Sequence, residues 1–272
     1  MHLGAADQKD HGYFVSANLF SGVCVRNLLK PSQRKVAPRV PDGVRIYAIG
    51  DVHGRADLLH QLMMRIDADL SANPYPADRV IQIFLGDYID RGPESREVLD
   101  LLIDRSAANR IICLKGNHEV FMQEFLKEPA VLTDWKRLGG LETLLSYGVK
   151  PSMSTDRLEQ KKLADSFNCA LPDDHRRFLS NLELSFTCGD FLFVHAGVRP
   201  NVPLRRQNEH DLLWIRDEFL LHEGDFGKVI IHGHTPVMQP DVRPNRINID
   251  TGAYATGQLT CLVLEADQID FI

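Results

Sequence analysis

Short apolar runs, rich in β-branched residues and each ending at a glycine-flanked polar cluster, set the rhythm of this chain. They cover residues 44–49, 79–85, 110–114, 191–194 and 228–231. Runs of this length and composition read as largely buried strands. The intervals between them carry apolar positions at helical spacing. Residues 56–70 predict one helix, and residues 93–106 another, with Pro93 near its start, where a missing N–H is harmless. A longer interval after the third run predicts helical pieces over 119–126, 135–138, 141–147, 155–167 and 172–181. Gly139-Gly140 and Gly148 separate some of these pieces, and Pro172-Asp173-Asp174 makes a good helix opening. The runs at 247–253 and 258–264 predict a closing hairpin. Strands alternating with helices predict an α/β fold. The helical interval, about 119–182, is expected to cap the core and form one wall of a cleft.

Length and composition narrow the picture. With 272 residues, the chain suits one large domain with a substantial core. Residues 42–272 are expected to form that domain, and residues 1–41 an N-terminal extension. Residues 13–29 are moderately apolar but interrupted by Ser16, Asn18, Ser21, Arg26 and Asn27, unlike a secretory signal. Residues 30–41 hold three prolines and four basic residues and read as a linker; a mobile extension is expected, with a tail that folds against the domain or a partner-docking segment as the alternatives. The net charge of -6 argues against a nucleic-acid partner, which would call for a basic stripe. No apolar run approaches a membrane span, so no membrane partner is expected. The five cysteines (Cys24, Cys113, Cys169, Cys188 and Cys261) form no close pair. They read as buried thiols in a reducing compartment, which implies a cytoplasmic location.

The polar clusters supply the candidate chemistry. They are Gly50-Asp51-Val52-His53-Gly54, Gly86-Asp87-Tyr88-Ile89-Asp90-Arg91-Gly92, Gly116-Asn117-His118-Glu119, Val194-His195-Ala196-Gly197 and His232-Gly233-His234-Thr235-Pro236. Loops beyond the carboxyl ends of α/β strands are the usual place for a ligand crevice, so these clusters are expected to converge on one rim. Their donors are carboxylate, imidazole and amide oxygen, with no thiolate. That set suits manganese, iron or zinc and excludes a soft copper or iron–sulfur site. Two cations roughly 3.5–4 Å apart need a bridging group, and a carboxylate such as Asp87 can bridge. Such a pair turns a water between them into a nucleophile suited to displacement at phosphorus.

Each cluster also has a plainer reading. A lone Asp-x-His-Gly is usually a turn. Gly-Asn-His-Glu could open a helix, with Asn117 as its N-cap and Glu119 in the first turn. Arg216 could pair with Asp217 or Glu218 on the surface. His2, His11, His60, His175, His210 and His222 read as solvent-facing or helix-surface residues, and Trp135 and Trp214 as packing residues.

Taken together, the clusters resemble the serine/threonine-type phosphoprotein phosphatase branch of the calcineurin-like metallophosphoesterases, in its bacterial form. The resemblance runs from about Val44 to Leu264, and the Trp135, Gly139-Gly140, Thr143-Leu144 and Ser146-Tyr147-Gly148 pattern shares it. It implies a β-sandwich flanked by helices, a four-layer α/β/β/α architecture. It implies two divalent metal ions, manganese first, with Asp51, His53 and Asp87 holding one and Asp87, Asn117, His195 and His234 the other. His118 would be the general acid and Asp90 its carboxylate partner. Arg91, and more loosely Arg216, would grip the substrate phosphate together with Asn117. His232 would be a neighbour, since the pattern uses the histidine before Thr235. The implied activity is removal of phosphate from a phosphoprotein or small phosphoester. A neighbouring branch with the same metal core hydrolyses dinucleoside polyphosphates. In that branch the second cluster typically lacks the Asp before its Arg and the third ends in Asp, so Asp90 and Glu119 favour the phosphatase. A degenerate member serving as a binding scaffold is the remaining alternative.

Overall fold

The computed structural model describes residues 37–151 and 156–272. Its strands are β1 (Arg45–Ile49), β2 (Val80–Phe84), β3 (Ile111–Cys113), β4 (Ser185–Cys188) and β5 (Phe191–Val194), then β6 (Val229–His232), β7 (Asp241–Val242), β8 (Arg246–Asn248), β9 (Cys261–Glu265) and β10 (Gln268–Phe271). They form two sheets of five strands each, ordered β10-β9-β1-β2-β3 and β4-β5-β6-β8-β7. Within each sheet three neighbouring strands run parallel: β1, β2 and β3 in one, β5, β6 and β8 in the other.

Alternation along the strands explains the layering. In β1, Ile46 and Ala48 face an apolar layer shared with Phe191, Phe193, Ile231, Ile247, Leu262 and Leu264, drawn from both sheets. Tyr47 and Ile49 point the other way, into a cluster with Leu59, Leu62 and Ile66 of one helix and Val98, Leu99 and Leu102 of the next. In β5 and β6 the out-of-phase residues Leu192, Val194 and Ile230 meet Leu212, Ile215 and Phe219. Side chains two apart share a strand face. Strands buried on both faces therefore lie between helices and a second sheet, and the architecture is the expected α/β/β/α sandwich.

The helices among the described residues are α1 (Ala56–Ala72), α2 (Ser95–Ala108), α3 (Asn117–Phe125), α4 (Leu132–Trp135), α5 (Gly140–Ser146), α6 (Arg157–Ala170), α7 (Asp173–Ser180), α8 (Glu209–Trp214), α9 (Asp217–Leu220) and α10 (Ala253–Thr256). In α1, Ala56, Leu59, Leu62, Met63 and Ile66 are buried, the stripe its spacing predicts. Pro93 lies just outside α2, whose first helical residue is Ser95. The piece expected over 135–138 is a tight 3-10 turn following α4, and it stops at Gly139 with φ of 95°.

Some expectations need correction. The runs near 247 and 258 do not pair with each other. β8 joins the second sheet, while β9 pairs with β1 and makes its hairpin with β10. The polar stretch between them, which includes α10, carries the chain from one sheet to the other. Ile247 and Leu262 then sit in one layer from opposite sides, a relation that local alternation cannot distinguish from in-sheet pairing. His175 is fully buried, with Tyr147 Oη 2.6 Å from Nδ1 and Asp100 Oδ1 2.8 Å from Nε2. The neighbouring helices supply both partners, so a position that reads as helix surface becomes a buried link. Of the four cysteines among the described residues, only Cys261 is buried; Cys113 and Cys188 are half-buried and Cys169 is exposed. Cys24, His2, His11 and nearly all of the proposed extension lie outside the described residues. Its last part is tied in, with Val40 N donating to Ala266 O and Arg39 O accepting from Asp190 N.

Candidate metal centre

Both sheets deliver the polar clusters to one place. Asp51 and His53 follow β1, Asp87 follows β2, and Asn117 and His118 open α3 after β3. His195 follows β5, and His234 follows β6. The turns that carry them are strained. His53, Asp87, Asp90, Arg91 and His234 adopt positive φ values of 48°, 52°, 73°, 68° and 66°. Non-glycine residues rarely occupy this region, and such strain gathers at functional sites that their surroundings over-determine. Two glycines have no room for a side chain. A Cβ at Gly116 would lie 2.1 Å from Asp87 Oδ1, and one at Gly233 would lie 2.0 Å from Asp51 Oδ1.

Glu119 fastens the second and third clusters together. Its buried carboxylate accepts from Gly116 N at 2.9 Å, Asp87 N at 3.0 Å and Tyr88 N at 2.8 Å. The helix cap is thus Gly116 with Glu119 reaching back, and not Asn117, which leaves the Asn117 side chain free to face the site.

Two groups of possible metal-binding atoms form, and Asp87 belongs to both. One is His53, Asp87 and His118; the other is Asp87, His195 and His234. His195 Nδ1 donates to Leu85 O at 2.9 Å, so in the neutral ring Nε2 carries a lone pair. That lone pair faces Asn117 Oδ1 at 2.9 Å and Asp87 Oδ1 at 3.4 Å, and both are acceptors. His234 Nδ1 lies 2.9 Å from the same Asn117 oxygen. The other half repeats the logic. His53 Nδ1 donates to Ile89 O at 3.0 Å, and Nε2 faces Asp87 Oδ2 at 3.6 Å. Lone pairs converging on each other in a buried site fit a cation and little else.

The electrostatics agree. Burial pushes the imidazoles of His53, His195 and His234 below their ordinary pKa, His234 to about 2, so these rings are neutral and their lone pairs are available to a cation. Burial, then the charges of Asp250 and Asp87, pushes Asp51 well above the carboxylate range. Burial also raises Asp250, to about 6. Carboxylates crowded in this way stay ionised together only with positive charge among them. Asp51 Oδ1 has no hydrogen-bond partner among the described residues, while Oδ2 accepts from His234 N at 3.0 Å. The donor set is oxygen and nitrogen throughout, and it fits two divalent ions.

His118 stands apart from the neutral rings. Burial opposes its charge, but Asp87 and Asp90 outweigh burial and hold its pKa above the ordinary value. Its Nδ1 lies 2.7 Å from Asp90 Oδ2, which leaves Nε2 facing the site, 3.5 Å from Arg91 Nη2 and 3.7 Å from Asp87 Oδ2. The Arg91 guanidinium lies 4.6 Å from the Tyr254 ring centroid. Arg216 is exposed and contacts Thr235 Oγ1 at 3.4 Å. The basic partner of its neighbour Glu218 is Arg199 rather than Arg216.

The sequence-derived site residues thus gather here, with one qualification. Asp51 joins neither three-residue group, because its carboxylate is turned toward Gly233 and His234. His232, read from the sequence as a neighbour, belongs to neither group and packs its ring on Phe219 at 4.9 Å. Sequence reasoning missed Asp250 and Tyr254. Asp250 had a usable signal: Ile247-Asn248-Ile249-Asp250-Thr251-Gly252 repeats the pattern of an apolar run ending in Asp and Gly. Trp135, read as a packing residue, does pack, but its indole also reaches Asp90.

Comparison with known proteins bears on the same segments. Residues 44–271 match the family model described as calcineurin-like phosphoesterase. The bis(5'-nucleosyl)-tetraphosphatase PrpE (asymmetrical) of Anoxybacillus flavithermus is 28% identical over 240 residues, covering 79% of this chain and 88% of that protein. The Shewanella-like protein phosphatase 2 of Arabidopsis thaliana is 28% identical over 205 residues, covering 63% of this chain and 51% of that protein. A solved structure described as a candidate diadenosine tetraphosphatase superposes with a TM-score of 0.58 at 19% identity, over 87% of this chain and 98% of that one.

Proposed function

We propose a substrate and a division of labour for this chain from one premise: it belongs to the calcineurin-like phosphoesterase family. It is a metal-dependent phosphoesterase, and we assign it the hydrolysis of dinucleoside polyphosphates. The observation that carries this reading is coverage. The tetraphosphatase relative aligns with 79% of this chain and 88% of itself, whereas the protein phosphatase relative aligns with 63% and 51%. This reverses the order in which the sequence clusters alone place the two activities.

Asp51, His53 and Asp87 would hold one cation, and Asp87, Asn117, His195 and His234 the other, with manganese the first choice and iron or zinc the alternatives. When bound, such a pair supplies Lewis acidity and lowers the pKa of water. The chain's own groups do the rest. Arg91, with Arg216 at the rim, neutralises the equatorial phosphoryl oxygens as charge spreads over them, and its planar fork suits two oxygens at once. His118, oriented by Asp90, presents Nε2 to the departing oxygen and supplies its proton.

One observation favours a second reading, a serine/threonine-type protein phosphatase. The buried His118–Asp90 pair is a proton donor, and an alkoxide leaving group needs that proton more than the acidic phosphate leaving group of an anhydride does. Diadenosine tetraphosphate and a phosphoserine peptide, offered in parallel with manganese, separate the two. The expected result is the larger kcat/KM for the dinucleotide, with a nucleoside triphosphate and a monophosphate as products. Preferential turnover of the phosphopeptide would overturn the assignment in favour of the second reading.

A further inference from the structure

The helical segment after α3 reaches back to the second cluster at several points. Asp90 is fully buried, and both of its carboxylate oxygens are supplied with donors. Oδ2 lies 2.7 Å from His118 Nδ1 and 2.8 Å from Trp135 Nε1, and Oδ1 accepts from Thr143 Oγ1 at 2.5 Å. The backbone N of Asp90 donates to Thr143 Oγ1 and to Ser95 Oγ, both at 3.0 Å. The two hydroxyls lie 3.0 Å apart. An ionised Asp90 satisfies every donor in this network. Thr143 gives its only proton to Oδ1, and its lone pairs take the Asp90 N–H and the Ser95 O–H. Indole nitrogen is a donor only, so the lone pair that Trp135 occupies on Oδ2 cannot carry a proton. With Trp135 and Thr143 donating to it, Asp90 is held as an acceptor, which favours the proton on His118 Nδ1 and leaves Nε2 directed to the site.

We propose that Trp135 and Thr143 are positioning residues for the proton donor: acting through Asp90, they fix the tautomer and ring orientation of His118. The proposal rests on the reading of His118 as proton donor given above. It assigns to α4 and α5 a role in the rate of the reaction in addition to packing. Trp135 is held for this task by Gly140, where a Cβ would lie 2.4 Å from the indole ring. Its other face is filled by Phe125 and Phe167, with ring centroids at 5.2 Å and 6.0 Å. The indole therefore has little freedom to swing away from Asp90.

Two measurements on Trp135→Phe, Thr143→Val, Thr143→Ser and His118→Asn test the idea. The first is proton NMR of the imidazole N–H region, which reads the His118 Nδ1–H directly. A strong N–H donor to a buried carboxylate resonates far downfield. This signal is expected in the parent, absent in His118→Asn, shifted or broadened in Trp135→Phe and Thr143→Val, and restored in Thr143→Ser. The second is turnover of aryl phosphates with leaving groups of graded acidity, in the manganese-loaded protein. His118→Asn should steepen the dependence on leaving-group pKa. Trp135→Phe and Thr143→Val should steepen it in the same sense, by about tenfold at the least acidic leaving group, the effect of one weakened charged hydrogen bond. Thr143→Ser should recover the parent slope. Phe preserves most of the packing, and Thr143→Val is nearly isosteric, so loss of fold in one leaves the other to decide. A parent-like signal and slope in either folded variant, with a steep slope in His118→Asn, overturns the proposal while leaving the acid in place. A parent slope in His118→Asn removes the proton-donor reading itself, and the proposal with it.

Discussion

At the scale of single residues, the site is a set of buried lone pairs arranged to suit cations. Asp87 is the common member: Oδ1 faces His195, Oδ2 faces His53 and His118, and Oδ1 also accepts from His118 N at 3.1 Å. Replacing it with Asn removes a charge shared by both halves. Asp87→Asn is therefore expected to lower occupancy at both positions, and Asn117→Ala chiefly at one, with hydrolysis nearly abolished in each. Metal analysis of the purified variants checks this; two full equivalents and ordinary turnover in Asp87→Asn would refute the shared role. Arg91, proposed above to grip the substrate phosphate, makes a separate test. Arg91→Ala should keep its metals while the inhibition constant for inorganic phosphate rises at least about tenfold, since a charged hydrogen bond is worth ~1.5–3 kcal/mol. Arg91→Lys should recover little, because an ammonium lacks the planar fork. The residues that gather at the candidate metal centre were legible because each comes with a local signature of strand end, polar pair and glycine. Trp135 and Tyr254 were not, because their partners Asp90 and Arg91 lie far away in sequence and no spacing encodes the contact.

Elements show the same division between local and distant information. The spacing in α1 and the β-branched runs of β1, β2, β5 and β6 specify these pieces almost to the residue, since burial on a known period dictates them. β4, β7 and β10 carry little apolar pattern of their own and lie at or next to sheet edges, so the sequence hides them. The link from the 3-10 turn at 136–138 to α5 is instructive. Gly139 O accepts from Arg91 N at 3.2 Å, and a Cβ at Gly139 would lie 2.5 Å from that nitrogen. Gly139→Ala is expected to lose about 1 kcal/mol or more from its left-handed backbone. It should also push Arg91 out of place, weakening phosphate inhibition in the same direction as Arg91→Ala with metal content unchanged. Unaltered phosphate inhibition in a folded Gly139→Ala protein would show that Arg91 does not depend on this segment.

On the scale of the whole molecule, the site belongs to neither sheet alone. β1, β2 and β3 supply Asp51, His53, Asp87 and Asn117, while β5 and β6 supply His195 and His234. The metals should therefore bind the assembled sandwich and have little affinity for either half. Ligands that select the native state stabilise it by RT ln(1 + [L]/Kd), roughly 2.7 kcal/mol at a hundredfold excess over Kd. Adding manganese to chelator-treated protein should raise Tm by several degrees, and Asp87→Asn should remove most of that shift. An equal shift in the variant would place the stabilising ions elsewhere. The α/β class was legible from strand–helix alternation. The split of β8 and β9 between sheets was not, since both carry similar apolar runs and only their long-range partners differ.

The hydrogen bond from His234 N to Asp51 Oδ2 joins residues 183 positions apart. Its consequence is kinetic. Closing so long a loop comes late on any folding route, because distant contacts are rewarded only after the intervening chain is ordered. The parallel pairs that bring Asp51 and Asp87 together can form earlier, yet they offer a cation only half of its ligands. Manganese should then leave the refolding rate almost unchanged and slow unfolding by most of its stabilising effect, the behaviour of contacts absent from the transition state. Stopped-flow refolding and unfolding, each with and without the ion, would show this as a shift in one limb of the chevron. A matching acceleration of refolding would mean instead that the two sheets meet around the metal before either is complete.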